Sequence, residues 1–97
     1  MAAFKDLDPL LHSQLRLAIV SILVGVEFAD FNFLLEKTEA SKGNLSVQLK
    51  KLEAANYIQI KKSFKNNYPH TRVSITKIGQ KAFKDYAVTL KDYLGGS

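Results

Sequence analysis

The chain has 97 residues, of which 46% are apolar and 24% charged, and its formal net charge is +5. This size fits one compact domain over residues 1–97, and the composition is that of a globular protein and not of a disordered tail. The absence of cysteine excludes disulfides and thiolate metal sites, and His12 and His70 lie too far apart to suggest a metal site, so we expect neither a metal nor a cofactor.

The N-terminal region lacks the features of a targeting or membrane segment. Asp6, Asp8 and Pro9 stand where a signal peptide needs a basic and then an apolar stretch. The apolar run from Leu15 to Val26 is interrupted by Arg16 and is too short to span a bilayer. Together with the absence of cysteine, this predicts a cytoplasmic protein that does not associate with membranes.

Positive charge is concentrated in the middle of the chain. Residues 41–72 carry seven basic groups and one acidic group, whereas residues 1–40 carry three and six, and residues 73–97 carry four and two. Local positive density of this kind suits a polyanionic backbone, although a lysine-rich face in contact with solvent alone has the same count. The basic residues of this segment are Lys42, Lys50, Lys51, Lys61, Lys62, Lys65 and Arg72.

The first third of the chain predicts two helices. Apolar residues recur at helical spacing from Leu7 to Val24, where Asp8 and Pro9 suit a helix start. Residues 29–31 predict a short strand, and Asn32 can cap a second helix that ends near Thr38. The predicted buried side of the second helix consists of Phe33, Leu34 and Leu35.

A third helix is predicted from Lys42 to Ala55, with Ser41 as its cap and Leu45, Leu49 and Leu52 on its buried side. Two short helices joined by a tight turn form a helix-turn-helix, whose second helix can enter the major groove of DNA. The alternative is an amphipathic helix with a solvated outer face. The residues predicted to contact DNA are Ser41, Lys42, Gly43, Asn44, Ser46, Val47, Gln48, Lys50 and Lys51.

The outer face of this helix has the chemistry of a groove-reading surface. Asn44, Ser46 and Gln48 can exchange hydrogen bonds with base edges, and Val47 can contact a thymine methyl group. Two lysines can reach phosphates, and Gly43 permits close approach to the DNA backbone.

A hairpin is predicted after Tyr57, because the apolar period changes from helical to alternating. Ile58 and Ile60 alternate with polar residues in one strand, and Val73 and Ile75 do so in the next. The segment 65–71 is polar and rich in turn formers, which predicts a loop. Directly after a helix-turn-helix, a basic hairpin forms a wing that can touch phosphates or the minor groove. The wing residues predicted to contact DNA are Lys62, Lys65, Asn66, Asn67 and Arg72.

A final helix is predicted from Lys77 to Leu94 and is ended by the run Gly95-Gly96-Ser97. It carries more apolar surface than a three-helix core with a hairpin can cover, so we predict that it packs against helix one of a second copy. Such a twofold dimer would present two recognition helices to DNA half-sites roughly 34 Å apart. The alternative is full burial within the monomer. The predicted dimer contacts are Leu11, Leu15, Phe83, Tyr86, Leu90, Tyr93 and Leu94.

These segments together resemble the MarR/ArsR-like winged-helix regulators, and most of all their small one-domain members in archaea and bacteria. The resemblance lies in LHSQLRLAIVSIL, ADFNFLLEKTEAS and SKGNLSVQLKKLEAANYI, then KKSF, a polar loop and TRVSITKIGQKAFKDY. It implies an α+β, mainly α, winged helix-turn-helix fold, with a three-helix core, a two-stranded wing and a C-terminal dimerisation helix. It also implies a recognition helix on Ser41 to Leu52 and a DNA-contacting wing on Lys65 to Arg72. Asn56 stands where such sequences commonly place a turn glycine, which Asn can replace because it tolerates left-handed dihedrals.

The expected function is sequence-specific binding of double-stranded DNA by a homodimer that regulates transcription. An enzyme is excluded because no nucleophile with a base, carboxylate pair or glycine-rich phosphate loop has a usable spacing. A winged-helix module that binds RNA or a protein partner is the alternative. His12 and Arg16, one helical turn apart, could line a small-molecule effector pocket, but a packed or ion-paired Arg16 explains the pattern as well, and no effector is assigned.

Overall fold

The computed structural model describes residues 4–95, so the predicted end of the chain at Gly96 and Ser97 lies outside the described residues. Within residues 4–95, four helices and one three-stranded antiparallel sheet, with strand order β1-β3-β2, form a mainly helical winged-helix fold. The pairing of β1 with β3, which enlarges the predicted two-stranded sheet, was not foreseen. The elements in chain order are α1 (Gln14–Val24), β1 (Ala29–Asp30), α2 (Phe31–Thr38), α3 (Lys42–Ala54), β2 (Ile58–Lys65), β3 (Tyr68–Ile75) and α4 (Lys77–Tyr93).

The core lies between the helices and the inner face of the sheet. It includes the predicted stripe of α3, since Leu45, Leu49 and Leu52 are all buried. No polar or charged residue between positions 4 and 95 is fully buried, so apolar packing dominates the interior. No helix in this part of the chain has the length and hydropathy to cross a membrane. The other buried residues are Leu11, Ile19, Val20, Leu23, Ala29, Leu34, Ile58, Val73 and Tyr86.

The first helix begins at Gln14, so the prediction of a start at Leu7 is wrong. The Asp8 side chain accepts a hydrogen bond from the backbone N–H of Leu10 at 2.8 Å and closes a turn there. This local bond competes with helical hydrogen bonding. Ser13 has extended backbone dihedrals and precedes the first helical residue.

The second helix is also displaced from its predicted start. Asp30 is the extended residue before α2, so the predicted cap at Asn32 already lies inside the helix. Leu34 is buried as predicted, and Leu35 is partly buried. Phe33 is 42% exposed, so its predicted burial is wrong; the Lys37 ammonium lies 5.6 Å from the centre of its ring and provides a cation–π contact.

The wing is a longer hairpin than predicted. Only Asn66 and Asn67 form its turn, and both have left-handed backbones, with φ of 53° and 66°. Two positive φ angles are what a tight type I′ hairpin turn needs, and Asn adopts them at low cost. Residues 68–71 therefore continue the ladder instead of forming a loop, with Tyr68 opposite Lys65 and Thr71 opposite Lys62.

The wing is joined to α4 by a compact junction. The Thr76 hydroxyl accepts from the backbone N–H of Gly79 at 2.9 Å and donates to the Asn56 carbonyl at 2.6 Å. Asn56 has a φ of 63°, which confirms that it takes the left-handed turn position. Gly79 is buried directly against the backbone of Tyr57, so α4 approaches the start of β2 more closely than a side chain would allow.

Gly79→Ala is expected to lower the free energy of unfolding by about 1–3 kcal/mol, because an added methyl group overpacks this junction. A Cβ at Gly79 would lie 2.2 Å from the carbonyl oxygen of Tyr57, so the backbone itself must shift. Gly43→Ala is the matched control, since a Cβ there meets no atom within 4 Å. Chemical denaturation of both variants checks this, and equal midpoints would show that the close approach is not needed.

Candidate nucleic-acid interface

The predicted recognition helix is α3, and its start is well defined. The Ser41 hydroxyl accepts from the backbone N–H of Asn44 at 3.1 Å, which confirms Ser41 as the N-cap. Lys42 and Gly43 form the first turn with Asn44, and all three residues are exposed. The N-terminal end of the helix is therefore open to solvent.

The outward face of α3 is mixed in chemistry. Val47 is 50% exposed, and Lys50 and Lys51 are exposed on either side of it. Ser46 is partly buried on the flank that faces the wing. The helix thus presents an apolar contact at its centre with a cation on each flank, as its period predicts.

One groove connects α3 to the wing. Its lining includes Ser46 and Lys50 from the helix and Lys62 and Thr71 from the wing. Lys62 and Thr71 are opposite one another in the ladder and share the face of the sheet that carries Ile60. The alternation of the strand therefore brings the Lys62 ammonium to the same side as the recognition helix. Glu53 is an acidic residue on the wall of this groove.

The other wing residues have different positions. Lys65, Asn66 and Asn67 are exposed at the tip, as predicted. Arg72 lies away from the tip, opposite Lys61 in the middle of the ladder and exposed on the sheet face opposite the core, and its contact with DNA stays a prediction. Its guanidinium lies 3.8 Å from the Asp30 carboxylate and 4.2 Å from the centre of the Phe28 ring. The sequence could have indicated this outward position, because successive strand residues face opposite sides of a sheet and Val73, the neighbour of Arg72, is an apolar residue of the inner face.

Gln48, a predicted base reader, forms hydrogen bonds within the protein through both ends of its side-chain amide. It is partly buried on the flank of α3 that faces α1, where its Oε1 accepts from Arg16 Nη1 at 2.5 Å. Its Nε2 donates to Asn44 Oδ1 at 3.0 Å. Arg16 is thus a packed and hydrogen-bonded residue, which is the second of the two alternatives for it. Sequence periodicity had no signal for this contact, since 32 residues separate the partners.

The predicted dimer residues fall into three groups by exposure. Leu11 is fully buried and Tyr86 is 5% exposed within the chain, so their prediction as contacts of a second copy is wrong. Both belong to the monomer core, and Tyr86 also bonds His12 through its hydroxyl at 3.0 Å. Tyr93 and Leu94 are exposed at the end of α4. The partly buried residues are Leu15, Phe83 and Leu90.

The end of α4 carries an apolar patch that sequence analysis did not foresee in full. The ring of Phe4, which is 63% exposed, stacks on Tyr93 with centroids 4.7 Å apart. The Tyr93 hydroxyl donates to the Lys5 carbonyl at 2.6 Å, which holds the N-terminal segment against the helix. Leu94, 77% exposed, continues this surface. We call Phe4, Tyr93 and Leu94 the terminal patch.

A partly buried hydroxyl connects the N-terminal segment to the wing base. The Tyr57 hydroxyl donates to Asp8 Oδ2 at 2.5 Å. Burial, the hydrogen bond to the Asp8 carboxylate and its negative charge raise the pKa of Tyr57 to about 12. The phenol therefore remains a neutral donor across the physiological pH range. Among residues 4–95, no three potential metal ligands come together, and thus no residues are assigned to a metal.

Comparisons with known proteins agree with this geometry. The sequence profile described as "Winged helix DNA-binding domain" matches residues 15–94. An uncharacterised protein of Methanocaldococcus jannaschii is 40% identical over 75 residues, which cover 77% of this chain and 82% of that protein.

Solved structures share the fold. A transcriptional regulator homologue from Pyrococcus horikoshii superposes with a TM-score of 0.83 at 26% identity, over 90% of this chain and 86% of its own. Bacillus subtilis PadR, solved in complex with operator DNA, has a TM-score of 0.70 at 15% identity, over 78% of this chain and 48% of its own. A MarR-family regulator from Silicibacter pomeroyi has a TM-score of 0.68 at 17% identity, over 86% of this chain and 55% of its own.

Proposed function

Since the chain belongs to the winged helix DNA-binding domain family, we propose that it binds double-stranded DNA sequence-specifically and regulates transcription as a homodimer. The observation that carries this proposal is the groove shared by the recognition helix and the wing. Lys50 lies on its α3 wall and Lys62 on its wing wall, so the groove offers phosphates one cation from the base-reading helix and one from the wing. The site of action is the cytoplasm, where the operator DNA is present.

The division of roles follows from position. The N-terminal half of α3 enters the major groove with Val47 on its outward face, and Lys42, Lys50 and Lys51 neutralise phosphates. Wing contacts come from Lys62 along the strand and from the turn that carries Lys65, Asn66 and Asn67. We assign Arg72 no DNA contact in this proposal, because its guanidinium lies 3.8 Å from the Asp30 carboxylate on the other face of the sheet.

The homodimer is supported by the amount of surface that one chain leaves exposed. The accessible area is 6968 Å², whereas a folded monomer of 10.9 kDa is expected to expose about 5,600 Å². The difference of about 1,400 Å² exceeds the roughly 800 Å² that each partner buries in a complex of standard size, so the chain has enough extra surface for such a contact. The terminal patch is the apolar surface that we assign to this contact, and the partly buried Leu15, Phe83 and Leu90 remain predicted contacts of the second copy.

The proposal is tested by fluorescence anisotropy of the purified protein on three labelled probes: the duplex upstream of its own gene, a scrambled duplex and the single strand. We expect tight, salt-sensitive binding to the first duplex and weaker binding to the other two. Equal binding to single strands and duplexes would favour an RNA-binding role. Absence of binding to any nucleic acid would favour a protein partner.

A further inference from the structure

A chain of side-chain hydrogen bonds connects α1 to the first turn of the recognition helix. Arg16 donates from Nη1 to Gln48 Oε1 at 2.5 Å, and Gln48 donates from Nε2 to Asn44 Oδ1 at 3.0 Å. Gln48 and Asn44 are four residues apart, so they share one flank of α3. Asn44, the exposed end of this chain, lies in the part of a helix-turn-helix that approaches base edges.

The direction of every bond in this chain is determined by its first member. A guanidinium has donors and no acceptor, so Gln48 must turn its oxygen to Arg16 and its NH2 group to Asn44. Asn44 must then turn its oxygen to Gln48, which leaves its own NH2 group as the outward part of the amide. If the Asn44 amide rotated by half a turn, its NH2 group would face the NH2 group of Gln48. If the Gln48 amide rotated, its NH2 group would face the N–H donors of Arg16.

The guanidinium itself is held in place from its other side. Arg16 Nε donates to the carbonyl of Leu10 at 2.6 Å, and the Leu10 N–H donates to Asp8. Asp8 is in turn bonded by the hydroxyl of Tyr57 at the wing base. The orientation of Asn44 is therefore set in the free protein, which lowers the entropic cost of binding a base.

We propose that Asn44 reads one base in each half-site by donating from Nδ2, and that Arg16 and Gln48 are positioning residues that fix this polarity. The inference rests on the proposed function. In the major groove, guanine offers acceptors at N7 and O6, adenine at N7 and thymine at O4, whereas cytosine offers a donor at N4. A fixed outward donor therefore discriminates against cytosine at the base that Asn44 faces.

The test is selection from a randomised duplex pool, followed by sequencing of the bound DNA. For the wild-type protein we expect one position in each half-site that disfavours cytosine by about fivefold or more. Asn44→Ala is expected to abolish this preference. Arg16→Met is expected to abolish it too, because the two amides can then rotate freely, while the salt dependence of binding stays that of the wild type, since Arg16 contacts no phosphate.

Gln48→Glu gives the sharper result, because it reverses the polarity. A carboxylate has acceptors only, so it still bonds Arg16 but can no longer donate to Asn44. Asn44 then turns its NH2 group inward and its oxygen outward, and the same position is expected to shift towards cytosine or adenine, which offer donors. Asn44→Asp exposes an outward acceptor by another route and is expected to cause the same shift.

Gln59→Glu is the control for the added negative charge. Gln59 is exposed on β2 opposite Ser74, on the outer face of the sheet, and has no contact with this chain of bonds. It is expected to leave the selected sequences unchanged. Thermal unfolding of each variant checks folding, and Gln48→Glu remains informative even if Arg16→Met is less stable.

The outcomes separate this inference from the function on which it rests. If the wild type selects a sequence and both Arg16→Met and Gln48→Glu select the same one, the positioning role is wrong and the DNA-binding function stands. If the wild type selects no duplex, the function itself is wrong. A shift at one position in Gln48→Glu, shared by Asn44→Asp and absent in Gln59→Glu, supports the inference.

Discussion

Removing two lysines from the recognition helix, in the double variant Lys50→Ala/Lys51→Ala, is expected to weaken duplex DNA binding by roughly tenfold to a hundredfold. Both side chains are exposed on α3, on opposite flanks of Val47, where each can neutralise one phosphate. Because each phosphate contact releases a counterion, the slope of log affinity against log salt should become shallower by about two. Anisotropy titrations at several salt concentrations measure both quantities.

The control for this variant removes the same charge from another part of the molecule. Lys84→Ala/Lys91→Ala changes two exposed lysines of α4 and leaves α3 and the wing intact. If net charge alone attracts the DNA, both double variants lose affinity equally, and the assignment of α3 as the recognition helix is then incorrect. If the local contact matters, only the α3 variant loses affinity and salt slope.

The recognition helix could be predicted from sequence because its signals are local and agree with one another. The spacing of Leu45, Leu49 and Leu52 defines one buried side, and Ser41 stands where an N-cap is needed. A helix bounded in this way has few alternative structures. The exposed lysines then follow from geometry alone.

The wrong predictions of where the first helix begins and how long the wing loop is come from local interactions that the apolar periodicity does not reveal. Asp8 forms a local turn through its side chain, so the apolar pattern that suits a helix begins about two turns before the helix itself does. The predicted wing loop was too long, because a pair of Asn residues makes the whole turn. Polar residues such as His70 therefore continue the strand.

Two site residues required the tertiary structure. Arg72 is basic, as a wing residue that contacts DNA would be. Its position in the strand places it on the outer face of the sheet, where it lies beside Asp30 and Phe28. Gln48 has the position of a base reader, but its amide is engaged by Arg16, which comes from a distant part of the chain. Long-range contacts of this kind decide which polar side chains remain available for DNA.

The terminal patch gives the prediction with the largest expected effect on operator binding. Leu94→Asp is expected to convert the proposed dimer to a monomer of 10.9 kDa, since it places a charge in the proposed apolar contact, at a side chain that one chain leaves 77% exposed. Because a dimer holds two half-sites at once, a monomer loses the benefit of effective concentration, and operator affinity should fall by about a hundredfold to ten-thousandfold. Sedimentation equilibrium and anisotropy measure the two effects.

Ile78→Asp is the matched control, because it introduces the same charge at an apolar residue that is 57% exposed at the other end of α4, about 24 Å away along the helix. It should leave both the mass and the operator affinity unchanged. Leu94 lies outside the core, so its variant should retain the thermal stability expected of the folded monomer. A variant that remains dimeric would place the interface elsewhere, whereas a monomer with full affinity would show that one copy of the recognition helix and wing is sufficient for operator binding. If Leu94→Asp lowers both the mass in solution and the operator affinity, DNA recognition depends on the twofold arrangement, because α3 has the same residues in the monomer and in the dimer.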